Sequence, residues 1–190
     1  MRVIAGTAGG VRLDAPKAGV RPTMDRVKAA IFSSLGGEII GARVLDLFAG
    51  SGALGIEALS RGAASALFVE EKSAAVAAIE RNLARAKLES QVRKQDVFAF
   101  LHSEQQGEPF GIIFADPPYE KSKAGGEFTQ LLLEDKKLAD LLAPTGIFVL
   151  EKRPTELMPT MALWYVTRAK TYGATEVLFL RHSERSRGTP

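Results

Sequence analysis

The sequence predicts an α/β fold, a mostly parallel sheet with helices on both faces, and three observations carry that prediction. From residue 43 onward, short apolar runs alternate with stretches of helical periodicity. A glycine-rich loop, Gly50 to Gly55, joins the first run to the first helix of that series. Acids stand at or near the carboxyl ends of successive runs, at Asp46, Glu70, Asp96 and Asp116, the edge where open α/β sheets take ligands.

Residues 1–42 stand outside the alternation. Arg2 to Ala5 and Val11 to Leu13, around Gly6 to Gly10, read as a short hairpin. Arg21-Pro22-Thr23 then reads as a turn with Thr23 as the N-cap of a helix whose Val27, Ile31 and Leu35 share a face, stopped by Gly36-Gly37. Arg21, Arg26 and Lys28 are candidates for touching phosphates or the cofactor, and Thr23 for touching RNA, although composition alone favours a solvated helix surface. Beyond them, strands at 43–48, 65–70, 91–95, 110–115 and 146–151 alternate with helices at 53–61, 72–87, 97–103 and 126–142. In the helix at 72–87, Val76, Ile79 and Leu83 form the apolar stripe, and Glu80, Arg81 and Arg85 its wet side. Two last strands, near 162–171 and 174–181, are joined by Tyr172-Gly173 and should make an antiparallel edge. Trp164, Tyr165 and Phe179 are expected in the core. His102 should end a helix and His182 should sit in the tail, with no role for either. The expected organisation is an extension at 1–42, a catalytic domain at 43–182 and a basic tail at 183–190.

With 190 residues and 46% hydrophobic content, the chain suits one domain with a real core. The absence of cysteine excludes disulfides and thiolate metal sites, and two separated histidines offer no metal centre. No signal peptide and no apolar run of about 18 residues is present, so a cytoplasmic protein without membrane contact is expected. Charge is unevenly spread: residues 1–42 carry six basic and three acidic side chains, 151–190 seven and four, and the middle twelve and fifteen. Basic ends around an acidic core suit a polyanionic substrate, although a net excess of three charges does not separate this from ordinary solvation.

Chemistry enters with Asp116-Pro117-Pro118-Tyr119, directly after the apolar run Phe110 to Ala115. An exocyclic base amine shares its lone pair with the ring and is a poor nucleophile until its N–H groups are drawn into hydrogen bonds. Asp116 can accept one hydrogen and the Pro117 carbonyl the other, since consecutive prolines have fixed φ and no amide proton. Tyr119 would stack on the base. A plain turn closing a strand is the competing reading of the tetrad alone. The segment from Glu120 to Gly126, with Lys121 and Lys123, reads either as a lid over substrate or as a surface loop.

The upstream loop favours the chemical reading. Asp46, Phe48, Ala49, Gly50, Ser51 and Gly52 lie where a strand turns into a helix, with glycines that let a ligand approach the main chain. Gly50 to Gly55 also matches the GxGxxG dinucleotide fingerprint, with Glu70 twenty residues after Gly50, so an NAD-dependent oxidoreductase is a rival. Asp46 would repel a pyrophosphate but favours a cofactor with a cationic methionine end. Glu70 suits ribose hydroxyls and Asp96, followed by Val97, suits an adenine amine. S-adenosyl-L-methionine fits that row better than NAD.

Arg21-Pro22-Thr23-x-Asp25-Arg26-Val27, the stretch from Asp46 to Ala58 and Asp116-Pro117-Pro118-Tyr119 together closely resemble the RsmD-like family, bacterial 16S ribosomal RNA guanine-N2 methyltransferases. The likeness spans nearly the whole chain, including the opening Arg2-Val3-Ile4-Ala5-Gly6 and Leu59-Ser60-Arg61-Gly62. It implies a seven-stranded methyltransferase fold, S-adenosyl-L-methionine as donor, and a guanine of 16S ribosomal RNA as target, presented on the assembled small subunit; separately, a monomer is expected. One departure is Phe32-Ser33, where the family often has Phe-Asn. DNA or RNA adenine-N6 methyltransferases share the tetrad, but they generally carry a further region to read sequence, and 190 residues show no spare segment. Protein-glutamine methyltransferases typically have Asn in place of Asp116. A noncatalytic RNA-binding module would need no donor.

Overall fold

A computed structural model describes residues 1–14, 22–103, 107–118 and 127–183, and of residues 22–24 the backbone alone. Arg21, Tyr119, Lys121, Lys123, the rest of the expected lid and the last residues of the tail lie outside the described residues, as does the side chain of Thr23.

Seven strands form one sheet in the order β3-β2-β1-β4-β5-β7-β6. They are β1 (Arg43–Leu47), β2 (Ser65–Glu70), β3 (Gln91–Lys94), β4 (Phe110–Ala115), β5 (Leu142–Lys152), β6 (Trp164–Tyr172) and β7 (Thr175–His182). The pairs β1 with β2, β2 with β3 and β4 with β5 are parallel, whereas β7 runs antiparallel to β5 and β6. A mixed seven-stranded α/β sheet with an antiparallel end is the expected class. The chain divides into two compact units, Met1–Ser103 and Glu104–Pro190.

In the first unit, β1 and β2 are built from runs whose Val44, Leu45, Leu47, Phe68 and Val69 are fully buried. Strands covered on both faces read as continuous apolar runs, which is why the alternation was legible. Helix α1 (Pro22–Leu35) buries Val27, Ile31 and Leu35 as its spacing requires. Its start is two residues earlier than expected. Thr23 lies inside the helix rather than capping it, because proline, with φ preset and no N–H to satisfy, suits the first helical turn. Helix α3 (Ser73–Ala86) buries Ile79 and Leu83 as expected, together with Ala75, Ala78, Asn82 and Ala86, and leaves Val76 half-buried at the margin of the stripe. Helices α2 (Ala53–Ser60) and α4 (Val97–Leu101) complete the unit, with His102 at the end of α4 as expected.

The expected N-terminal hairpin contracts to one bridge, Arg2 to Arg12, with the Val3 N–H donating to the Val11 carbonyl and the Val3 carbonyl accepting from the Gly10 N–H, both at 2.9 Å. Tertiary contacts hold this segment instead. Gly6, at φ 85°, lies so close to the Ser60 carbonyl that a Cβ would fall 1.7 Å from its oxygen. The Ser60 hydroxyl donates to the Ala5 carbonyl at 2.6 Å and accepts from the Ala8 N–H at 2.9 Å. Arg85, expected to be merely solvated, makes a two-pronged pair with Asp14 at 2.8 and 3.0 Å.

In the second unit, the single helix expected at 126–142 is two, α5 (Glu127–Glu134) and α6 (Lys136–Leu141). Asp135 divides them. Its backbone is extended, and its carboxylate accepts from the Lys137 and Leu138 N–H groups, capping α6 instead of continuing α5. The residues after α6 join β5, which therefore starts at Leu142. Trp164 is buried with its indole N–H donating to the Leu133 carbonyl at 3.0 Å, and Phe179 is buried as expected. Two expectations fail here. Tyr165 is 39% exposed, because side chains alternate along β6 and its neighbour Trp164 takes the inward position. His182 is not in the tail; it ends β7, buried opposite Trp164 with the rings edge-on at 6.0 Å.

Candidate active site

The first unit gathers most of the predicted donor-binding residues around one loop. Phe48, Gly50 and Gly52 adopt φ of 54°, 57° and 75°, three left-handed residues within five positions. For phenylalanine this costs about 1–2 kcal/mol, a strain typical of ligand-binding turns. A Cβ on Gly50 would meet only the Phe48 carbonyl, at 3.8 Å, so glycine is required there by conformation, and the loop keeps an open flank. The Gly52 N–H donates to the Ala49 carbonyl at 2.7 Å, and α2 begins at the next residue. Ser51 is buried within the turn.

Gly55 is required for a different reason. A Cβ there would lie 2.3 Å from the Phe68 ring and 3.1 Å from the Asp46 carboxylate. Its absence lets the first turn of α2 lie against β2, so the buried Asp46 accepts the Gly55 N–H at 2.8 Å. Glu70, 7% exposed, accepts from the Gly50 N–H on Oε2 at 2.9 Å and from the Lys72 N–H on Oε1 at 2.8 Å. Each of its oxygens keeps a second lone pair for a hydroxyl. Asp96 is exposed and caps α4 through the Ala99 N–H at 2.8 Å, with Val97 buried beneath it. The Phe48 ring meets Phe98 edge-to-face, centroids 6.3 Å apart. Phe98 escaped the sequence reading, since no spacing rule marks it.

Behind the loop lie two further groups that the sequence did not reveal. Asn82, fully buried, donates to the Ser51 carbonyl at 2.9 Å and exchanges two bonds with the Asp14 backbone. Glu57, also fully buried, pairs with Lys28 at 3.2 Å and Arg61 at 2.7 Å and accepts from the Ile4 and Ala5 N–H groups. Lys28 is therefore neither a phosphate contact nor a solvated cation. Only 3% exposed, its ammonium is pushed down by desolvation, with Glu57 opposing. Arg26 stays exposed on α1, as does Ser33.

In the second unit, β4 delivers Asp116, Pro117 and Pro118 just beyond the register pair Ala115 and Leu150. Pro117 is buried and Pro118 exposed. Asp116 is exposed, yet the protein packed near its carboxyl desolvates it and raises it from 3.8 to about 6. Water on the open side opposes that shift. Among the described residues, no helix is long and apolar enough to cross a membrane.

The chain matches the family model described as Conserved hypothetical protein 95 over residues 1–181. It is 39% identical over 176 residues to Ribosomal RNA small subunit methyltransferase D of Escherichia coli K12, covering 91% of this chain and 85% of that one. The protein of the same name from Haemophilus influenzae is 34% identical over 177 residues, covering 91% and 89%. Among solved structures, a hypothetical protein of Thermus thermophilus superposes with a TM-score of 0.78 at 32% identity, covering 95% and 99%. The Thermus thermophilus 16S rRNA N2-guanine methyltransferase RsmC, solved with AdoMet and guanosine, matches at TM-score 0.70 and 26% identity, covering 87% of this chain and 44% of that one. A family model over nearly the whole length, with relatives of that name, places this chain in the RsmD-like family of ribosomal RNA small-subunit methyltransferases.

Proposed function

We propose that this chain transfers a methyl group from S-adenosyl-L-methionine to the exocyclic N2 amine of a guanine in 16S ribosomal RNA, within the small ribosomal subunit. The observation that carries the reading is the placement of Asp116 at the exit of the buried strand β4, followed by two residues with no amide proton. Kinship with enzymes named for this substrate supports it.

The first unit fits the donor. Gly50 leaves the loop open, Glu70 offers the second lone pairs of its oxygens to a ribose diol, and Asp96 with the Phe48 and Phe98 rings offers an acceptor beside flat apolar walls to adenine. Asp46, an anion at the root of the loop, favours a cationic methionine end over a pyrophosphate. When bound, S-adenosyl-L-methionine supplies an electrophilic methyl group on a sulfonium.

Asp116 accepts one hydrogen of the guanine amine and the Pro117 carbonyl the other, which frees the nitrogen lone pair. Tyr119 stacks on the base. Alignment of two bound reactants accounts for ~7–11 kcal/mol of barrier lowering, so Asp116 need not be a strong base. It takes the proton that the alkylated amine releases, or passes it to water. An unpaired guanine reaches such a site at least cost. Arg21, Thr23, Arg26, Lys121 and Lys123 are assigned to RNA contact, and residues 1–42 to a cover over donor and substrate. The same reading makes the protein a cytoplasmic monomer.

Incubation with unmodified small subunits and labelled donor, followed by mapping of the modified base, tests the assignment. Label on guanine N2 is expected; label on adenine N6, or none with donor bound, overturns it.

A further inference from the structure

We propose that one face of the β6–β7 hairpin is a surface for the RNA backbone, formed by Tyr165, Arg168, Lys170, Tyr172 and Arg181. The inference rests on the ribosomal RNA reading above and deepens it, assigning substrate contact to a segment that neither the glycine loop nor the strand-end acids involve.

β6 is the outermost strand, with a partner on one side only. Strict alternation along it would set Tyr165 on the face opposite Arg168, Lys170 and Tyr172. A bulge between Val166 and Arg168 removes that conflict. Tyr165 stands across from Arg181 and Val166 from Leu180; then Arg168 stands across from Phe179, Lys170 from Val177 and Tyr172 from Thr175. Residues opposed in a ladder share a face, and an extra residue reverses the phase of all that follow. Tyr165 thus joins Arg168, Lys170, Tyr172 and Arg181 on one side. Thr167, the inserted residue, is fixed by its hydroxyl donating to the Phe179 carbonyl at 3.0 Å.

On β6 and β7 this face carries three cations and two phenols beside Thr175 and the buried Val177 and Phe179, and Glu151 of β5 stands next in line, across from Val177. Glu176 points to the other side and is paired with Lys152 at 2.9 Å. Tyr165, Arg168 and Lys170 are exposed, Tyr172 and Arg181 half-buried. Arg168 lies over the Phe179 ring at 5.7 Å, and Arg181 donates to the Thr145 carbonyl, so both guanidinium groups are partly ordered before any ligand arrives. Lysine on an edge strand would guard against aggregation, but that task does not call for tyrosines in line with it. Cations that track phosphates and rings that stack on bases are the pairing that single-stranded nucleic acid uses. β6 is antiparallel to β7, which is antiparallel to β5, so Tyr172 ends at the same edge of this unit as Lys152 and Asp116. From there the stripe runs about 20 Å along the strand at ~3.3 Å per residue.

The test uses the full chain carrying Arg168→Gln with Lys170→Gln, and separately Lys170→Glu, since Lys170 is exposed and its change spares the Arg168 contact with Phe179. Affinity for protein-free 16S RNA and for unmodified small subunits is measured against salt, with S-adenosylhomocysteine binding followed by calorimetry. Both variants should bind either RNA substrate about tenfold more weakly, and the double variant should lose ~1.4–1.8 from the salt slope. KM for RNA should rise, with kcat at saturating RNA and S-adenosylhomocysteine affinity unchanged. If RNA affinity and slope are unaltered in variants of an enzyme that methylates the subunit, the surface is refuted and the proposed reaction stands. Loss of affinity for subunits but not for protein-free RNA makes the partner a protein and also refutes it. A wild-type chain that binds donor yet neither binds nor methylates ribosomal RNA overturns both.

Discussion

The carboxylates at the strand ends of the first unit and the one at the end of β4 are treated in opposite ways. Asp46, Glu70 and Asp96 each accept at least one backbone N–H, and Glu70 accepts one on each oxygen. Asp116 is instead marked by desolvation, which lifts its carboxyl to about 6. The lesson is one of division of labour. Groups that hold a ligand are fixed in advance by the main chain that also shapes the loop, while the group assigned to the reacting amine is kept in a less comfortable state, where a new hydrogen bond is worth more.

Breaking the comparison at Asp116 should have the largest effect. Asp116→Ala is expected to lower kcat by about 100- to 1000-fold, as for loss of a group aligned with the transition state, with S-adenosylhomocysteine affinity within about twofold of wild type by calorimetry. A near-normal rate would remove Asp116 from the mechanism. Glu70→Ala should do the reverse. Loss of a charged acceptor weakens donor binding by roughly 10- to 100-fold, read by the same calorimetry, with kcat at saturating donor much less affected.

Backbone changes sharpen the contrast between the two glycines of the loop. Gly55→Ala forces a methyl into the Phe68 ring and should cost about 1–3 kcal/mol in denaturant midpoints while weakening the donor site through Asp46. Gly50→Ala meets no close atom and should cost only the left-handed conformation, about 1 kcal/mol. Equal losses at both positions would contradict the close approach of α2 to β2.

Proton linkage gives the smallest but most diagnostic signal. Since the native state holds the Asp116 proton more tightly than the unfolded chain, its stabilising contribution is complete below pH 3.8 and disappears as pH rises through about 6. Asp116→Asn should therefore raise the thermal midpoint at about pH 7.5 and leave it unchanged near pH 3.5. In the wild-type enzyme, kcat/KM should fall about tenfold per unit below roughly pH 6, because the protonated acid no longer accepts from the amine. An acid limb near pH 4 would show that water on the open side cancels the desolvation.

Much of this was legible without coordinates, and the parts that were not share a cause. The continuous apolar runs of β1, β2 and β4, the glycine loop and the order of strand-end acids are local patterns, and each predicts its element because backbone geometry and burial on both faces leave few alternatives. What depends on neighbours distant in sequence was decided only by the tertiary structure. Lys28 looks like any helix cation until Glu57 buries it, and Asn82 looks like any polar helix residue until Asp14 and Ser51 converge on it. One inserted residue in β6 exchanges the faces of a strand, and the pressure on Asp116 comes from the protein packed around it. Periodicities and chemical groups are properties of the sequence; desolvation, register and pairing are sums over surrounding atoms, and those sums exist only once the chain has folded.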